Sequence, residues 1–264
     1  MGTQVSARMT LAVDEPAELV FSVAAAQGGE VRTERVTCLS YDLPIAMDEV
    51  SGPCGARLHV VRAPVGPLTF AYEASLGSSA PASPPTEAER ILYRRPSRYA
   101  ESDRLEITAR DAFGGLEGQA LVDAVAGWVH SRIGYVPGSS TSGDGALDTF
   151  LGRQGVCRDF AHLVVALCRA RNVPARVVSM YAPGLEPMDF HAVAEVCVDG
   201  RWQLVDATWL APRPSLVRIA TGRDAADTAF LTQHSGATRF GDLLVTASVD
   251  GDLPSDDWTA PVWS

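Results

Sequence analysis

Apolar positions recur at helical spacing over residues 157–171. Phe160, Leu163, Val164, Leu167 and Cys168 fall on one stripe. Asn172 and Pro174 end the pattern. A second stripe, Leu121, Val122, Val125, Val129 and Ile133, predicts a helix over 116–133, and a shorter helix is expected over Ala146–Leu151. The period then changes from helical to alternating. Ala175–Tyr181 reads as a strand, and so does His191–Val198. Asp199-Gly200 follows, and then Arg201–Asp206, so the pair predicts a β-hairpin. Upstream, residues 1 to about 77 read as short strands between turns: Met9–Val13, Ala17–Val23, Glu30–Val36, Ala56–Val61 and Leu68–Ala74. Asp14–Pro16 is expected to separate the first two. Gly77–Thr86 is a loop by composition, Asp224–Leu231 a brief helix, and Leu243–Val249 a last strand. The tail Asp252–Ser264 has no clear pattern, although its Trp258 and Trp263 could pack back.

These elements place one cysteine in a reactive setting. The turn Gly155-Val156 delivers Cys157 into the first turn of its helix. Free backbone N–H groups and the macrodipole there favour a thiolate and can hold an oxyanion. A thiol nucleophile needs a base, and the base needs an orienting group. His191 opens one hairpin strand and Asp206 closes the other, so an antiparallel hairpin brings them side by side at its open end.

The other histidines read differently. His59 is a packing residue in a strand. His130 is solvent-facing or a partner at a helix end. His162 points well away from the Cys157 direction, which suits a structural role. Asp159 can support the helix dipole but, as an anion, would oppose a thiolate. Cys38 and Cys54 read as small hydrophobes, and Arg94, Arg95 and Arg98 as a packed junction rather than an anion site. The Gly/Ser/Thr-rich stretch from Tyr135 to Asp144 is a candidate wall of the cleft.

Four segments in this order carry a resemblance. They are Gly155-Val156-Cys157-Arg158-Asp159-Phe160-Ala161-His162, Asn172–Val178, Asp189-Phe190-His191-Ala192, and Trp202-Gln203-Leu204-Val205-Asp206-Ala207-Thr208. Together they resemble the transglutaminase-like superfamily, in particular its bacterial branch of cysteine proteases with a β-rich N-terminal region. The resemblance covers roughly residues 90–250 well and the N-terminal part more loosely. It implies an α+β fold: a papain-like transglutaminase core, with the nucleophile helix packed on an antiparallel sheet. A small β-sandwich or barrel-like domain would precede it, with residues 1–86 and 87–264 as the two parts. It implies Cys157 as nucleophile, His191 as base and acid, and Asp206 as orienter. Ala207 departs from the family's usual proline and removes no catalytic group. Gln154, Tyr135 and Trp128 remain open as the second oxyanion donor. No cofactor is required, and no acidic loop suggests the calcium dependence of the animal enzymes.

Composition narrows the partners. The 264 residues are 46% hydrophobic and carry a net charge of −10, with a pI near 4.9. That argues against nucleic acid and anionic membrane. No leader peptide or membrane-spanning run is expected, and five cysteines without a CxxC pair suit a reduced, cytoplasmic protein. Internal repeats, a phosphate loop and an HExxH motif are all missing. The expected substrate is a peptide, a protein or a small amide. Hydrolysis is the default, and transfer to an amine is the alternative. A non-catalytic scaffold that keeps the fold is the alternative from another class. The sequence leaves the oligomeric state open.

Overall fold

The computed structural model describes residues 2–77, 83–258 and 260–264. The loop expected over Gly77–Thr86 therefore lies partly outside the described residues. Six strands come first: β1 (Thr3–Phe21), β2 (Val31–Ser40), β3 (Leu43–Pro44), β4 (Met47–Ser51), β5 (Arg57–Ala63) and β6 (Gly66–Leu76). They form a curled antiparallel half-barrel in the order β3-β2-β6-β1-β5-β4. The helical part follows with α1 (Glu87–Leu92), α2 (Glu106–Phe113), α3 (Gly118–Arg132), β7 (Gly134–Tyr135), α4 (Ala146–Gly152), β8 (Gln154–Gly155) and α5 (Cys157–Ala170). Next come β9 (Ala175–Tyr181), β10 (Phe190–Val198), β11 (Arg201–Val205), β12 (Val217–Gly222), α6 (Ala225–Thr228), β13 (Leu231–Val249) and β14 (Val262–Trp263). The second sheet runs β12-β9-β10-β11-β14 and is antiparallel throughout. The fold is thus α+β, as the sequence implies.

Two expectations at the chain ends need correction. Asp14–Pro16 does not split the first strand, because β1 runs unbroken for 19 residues. Its partner on one side changes there, from β6 up to Val13 to β5 from Ala17. At such a handover the missing proline N–H costs no ladder bond. The strand expected from Leu243 starts at Leu231 instead, a further short strand, β14, follows it, and the helix before it ends at Thr228. Residues 233–236 are polar and carry no strand pattern in the sequence. In the structure they lie on β13, which pairs with β1 along its whole length, with several register shifts. That strand returns to the N-terminal sheet and closes one side of β1.

The helix α5 is central. Every residue from Asp159 to Arg169 is buried, so the apolar stripe understates how completely it is enclosed. It lies against β9 and β10 on one side and α2, α3 and α4 on the other. Burying each of its Leu and Val side chains contributes about 1.5–3 kcal/mol. Tyr181 at the end of β9 joins the two sheets. Its hydroxyl donates to the Val23 carbonyl at 2.8 Å and its ring stacks with Tyr72. The site therefore rests on a helix and a sheet that are both fixed from behind.

Candidate active site

The turn that leads into Cys157 is held by a carboxylate. Asp159, in the first turn of α5, accepts from the Val156 N–H at 2.8 Å and from the Ser140 hydroxyl. Arg158 lies over the same group. It donates to Asp159 at 2.7 Å and to the Thr141 carbonyl at 2.7 Å, so it ties down the loop before α4. Gly155 is required by contact: a Cβ there would sit 2.6 Å from the Asp159 Cβ. Asp159 thus braces the loop and the helix start together, which its sequence position alone does not reveal.

The hairpin β10–β11 carries the other two groups. Its last pair at this end is Ala194 with Val205. Asp206 lies just beyond and reaches back to His191, with 2.7 Å between Oδ2 and Nε2. Both residues are buried. The other Asp206 oxygen accepts from the Thr208 N–H at 2.8 Å and from its hydroxyl at 2.7 Å. Every direction in which the carboxylate could turn is thereby constrained.

Electrostatics follow from this packing. Burial alone would lower the His191 pKa, but the Asp206 charge and hydrogen bond outweigh it, with a contribution from Cys157. The result is a pKa raised to about 10. For Asp206, burial works upward, and His191 and Thr208 together hold the carboxyl below its usual value. The His191 Nδ1 is buried and makes no well-formed hydrogen bond. With Nε2 committed to Asp206, Nδ1 is the nitrogen left for Cys157, whose thiol favours the charged ring. Cys157 itself is half-buried and reduced.

Of the three open oxyanion candidates, Tyr135 stands at the site. Its backbone bridges to Gly155, two residues before Cys157, and its ring centroid lies 6.0 Å from that of Phe160. Burial, followed by Cys157 and Asp189, raises the phenol pKa to about 12. Trp128 lies elsewhere, stacked on Phe150 and edge-on to Phe113. Gln154 is exposed on β8.

The remaining histidines keep clear of Cys157. His162 accepts from the Ala225 N–H at 3.0 Å and stacks on Tyr99, and burial pushes its pKa down to about 4. His130 donates from Nδ1 to the Ala207 carbonyl at 3.0 Å, since a carbonyl can only accept. It also stacks at 3.5 Å on Trp209, which in turn stacks on Trp258 of the tail. His59 is buried beside Glu49 at 3.2 Å. The segment around Arg95 packs as a junction: its carbonyl and the Ser97 hydroxyl accept from the buried Arg169. Cys54 is exposed, contrary to the expectation of a buried hydrophobe, and its sulfur lies 3.7 Å from the Arg176 guanidinium. It stands in a short turn with a positive φ of 54°, and its sulfur also lies 3.8 Å from the Glu89 carboxylate. Among the described residues no cluster of His, Cys, Asp or Glu is arranged to hold a metal. Nor is any helix among them long and apolar enough to cross a membrane.

Comparison with known proteins supports the reading of the fold. The family model of the transglutaminase-like superfamily matches residues 109–207. A candidate cysteine protease from Cytophaga hutchinsonii, known from its crystal structure, is 33% identical. It covers all of this chain and 94% of its own, with a TM-score of 0.88. An uncharacterized protein of Mycobacterium leprae is 29% identical over 43% of each chain. Another, from Mycobacterium tuberculosis, is 30% identical over 61% of this chain and 55% of its own. The chain thus spans about half the length of the curated relatives it matches. The matched segment takes in Cys157, His191 and Asp206, and the whole-chain likeness extends over the N-terminal sheet: the chain belongs to the transglutaminase-like superfamily.

Proposed function

We propose that the protein is a thiol-dependent acyl-transfer enzyme that cleaves a carboxamide or peptide bond, with hydrolysis as its outcome. The observation that carries this reading is the buried Asp206–His191 pair, whose free Nδ1 is left for Cys157 at a helix start. Asp206 favours the imidazolium, which is the partner a Cys157 thiolate needs. The thiolate attacks the substrate carbonyl carbon, and the C–O π electrons move onto oxygen. The Cys157 N–H and the Tyr135 hydroxyl receive that oxyanion. The phenol O–H turns toward the oxygen as the negative charge develops there. His191 then gives its Nδ1 proton to the departing nitrogen as the C–N bond breaks, leaving a Cys157 thioester. Water, deprotonated by Nδ1, attacks the thioester carbonyl, and the C–S bond breaks to release the acid and restore the thiolate.

The test is to mix the protein with a reactive acyl-amide, quench in acid and measure the adduct by mass spectrometry. An acyl increment on Cys157 and free acid as product support the reading. Predominant amide product in the presence of millimolar amine would replace hydrolysis by transfer. A non-catalytic scaffold predicts instead that iodoacetamide alkylates Cys157 no faster than Cys38 or Cys168.

A further inference from the structure

A cavity of about 460 Å³ opens at the seam between the half-barrel and the second sheet, and acyl transfer at Cys157 gives it no task. Among the described residues its walls come from both parts of the chain. Gln27 and Val31 line it from the half-barrel, and Glu89 of α1, Arg176 of β9 and Arg218 of β12 line it from the other side. The volume falls within the range of about 300–1,000 Å³ that small-molecule sites occupy, and seams between packed parts are common places for them.

The cavity also holds a nucleophile. Cys54 lines it from the short turn before β5. This cysteine is exposed, whereas Cys38 and Cys168 are buried and Cys157 and Cys197 are half-buried. Its sulfur stands in a polar cluster, 3.7 Å from the Arg176 Nη1, 3.8 Å from the Glu89 Oε1 and 4.0 Å from the Tyr93 hydroxyl. The turn is fixed to the half-barrel, because the Gly55 carbonyl accepts from the Gln27 N–H at 2.8 Å. Arg176 is fixed independently of the thiol. Its side chain is 3% exposed, its Nε donates to Glu195 at 2.7 Å, and its guanidinium lies 3.8 Å from the Trp202 ring centroid. A cation set in place by the core therefore stands beside an open thiol in a space of ligand size. The thiolate is the form that attacks a disulfide, and a neighbouring cation favours it. The Glu89 carboxylate, 3.0 Å from the Arg176 Nη1, works against it.

We propose that Cys54 is a thiol-exchange site, at which a low-molecular-weight disulfide leaves one half bonded to the sulfur and lodged in the seam cavity. The Cys54 thiolate attacks one sulfur of the disulfide. A bond forms between Cys54 Sγ and that sulfur, and the S–S bond of the reagent breaks. Its electron pair leaves with the second half as a thiolate, which takes up the proton that Cys54 released. The disulfide is itself the oxidant, so no other co-reactant is needed. The site is separate from Cys157 and stands whether or not the acyl-transfer reading holds.

The probe is 2-hydroxyethyl disulfide, which is uncharged and so is not steered by the net charge of the chain. The protein is mixed with it, quenched in acid and mapped by peptide mass spectrometry. Fragmentation separates Cys54 from Cys38, which shares its tryptic peptide, residues 36–57. One hydroxyethylthio group on Cys54 is expected, formed on the order of tenfold faster than on Cys197 and removed by dithiothreitol. Exposure alone would give that result, so two variants test the cavity. Val31→Trp puts a large side chain at an exposed point of the wall. It should slow exchange at Cys54 on the order of tenfold in the folded protein and leave the rate in urea unchanged. Glu89→Gln removes the carboxylate that opposes the thiolate and should speed the exchange. An unchanged rate in folded Val31→Trp, equal rates at Cys54 and Cys197, or a disulfide-linked pair of chains in place of the small adduct would overturn the proposal. Slower exchange in Glu89→Gln would also count against it.

Discussion

His191 is buried, and the Asp206 charge and hydrogen bond, with Cys157, favour its charged form against the effect of burial. Three consequences belong to single residues. Asp206→Asn keeps the shape but offers the imidazole the wrong hydrogen-bond partner. Turnover should fall on the order of 10⁴-fold, the size seen when the triad aspartate of a serine enzyme is changed to asparagine. Near-normal turnover in a kinetic assay would mean that another group orients His191. The second concerns pH. The folded pKa of His191 lies above its unfolded value, so its stabilising contribution is complete below about 6.5. It is lost as pH rises towards about 10. Asp206 is held low, so its contribution is present above about 3.8 and disappears as pH falls further. Urea melts of the protein and His191→Gln should therefore converge between about pH 6.5 and 10. A constant gap across that range would show that His191 is neutral in the fold. The third is Gly155→Ala. Its Cβ would meet Asp159 at 2.6 Å, and overpacking of this kind costs about 1–3 kcal/mol. A lower melting temperature together with slower Cys157 alkylation is the expected result.

Among the elements, α5 and the β10–β11 hairpin were plain in the sequence because each rests on a local signal. The helix has its stripe and its Asn172-Val173-Pro174 stop, and the hairpin has Asp199-Gly200 between alternating runs. What stayed hidden depends on partners distant in the chain. Thr208 fixes Asp206 from two residues away, but nothing in its identity marks it as a brace rather than a turn residue. Tyr135 could be narrowed to one of three candidates by position, and only the bridge from β7 to β8 brings it to Cys157. The tail shows the same limit. It read as unpatterned, yet Asp256 takes a bidentate pair from the buried Arg213, at 2.8 and 2.7 Å. That latch places Trp258 against Trp209, which backs the turn after Asp206 through His130. Asp256→Asn leaves the Arg213 charge buried and unpaired, a loss of about 3–5 kcal/mol. Calorimetric melting checks this, and an unchanged transition would show that the tail does not brace the core.

For the whole molecule, the long pairing of β13 with β1 joins a strand from beyond the helical part to the first strand. Residues on both sides of the helical part therefore build one half-barrel, a long-range arrangement that no local pattern encodes. The polar stretch of β13 is an edge segment open to water, which is why it lacks a strand's alternation. Unfolding by heat should be a single cooperative transition seen alike by far-UV circular dichroism and tryptophan fluorescence. Two separated transitions would show that the half-barrel and the second sheet are stable independently. Residues 1–86 expressed alone would leave the β1 edge bare and should aggregate or stay unfolded.

The most direct measurement is the site of acylation after rapid mixing with a reactive acyl-amide, read by peptide mass spectrometry of the acid-quenched protein. The account predicts one acyl increment, on the peptide containing Cys157, that forms before free acid appears and is missing in His191→Gln. Acyl groups spread over Cys54 and Cys197 at rates equal to Cys157, or turnover without any adduct on Cys157, would contradict it.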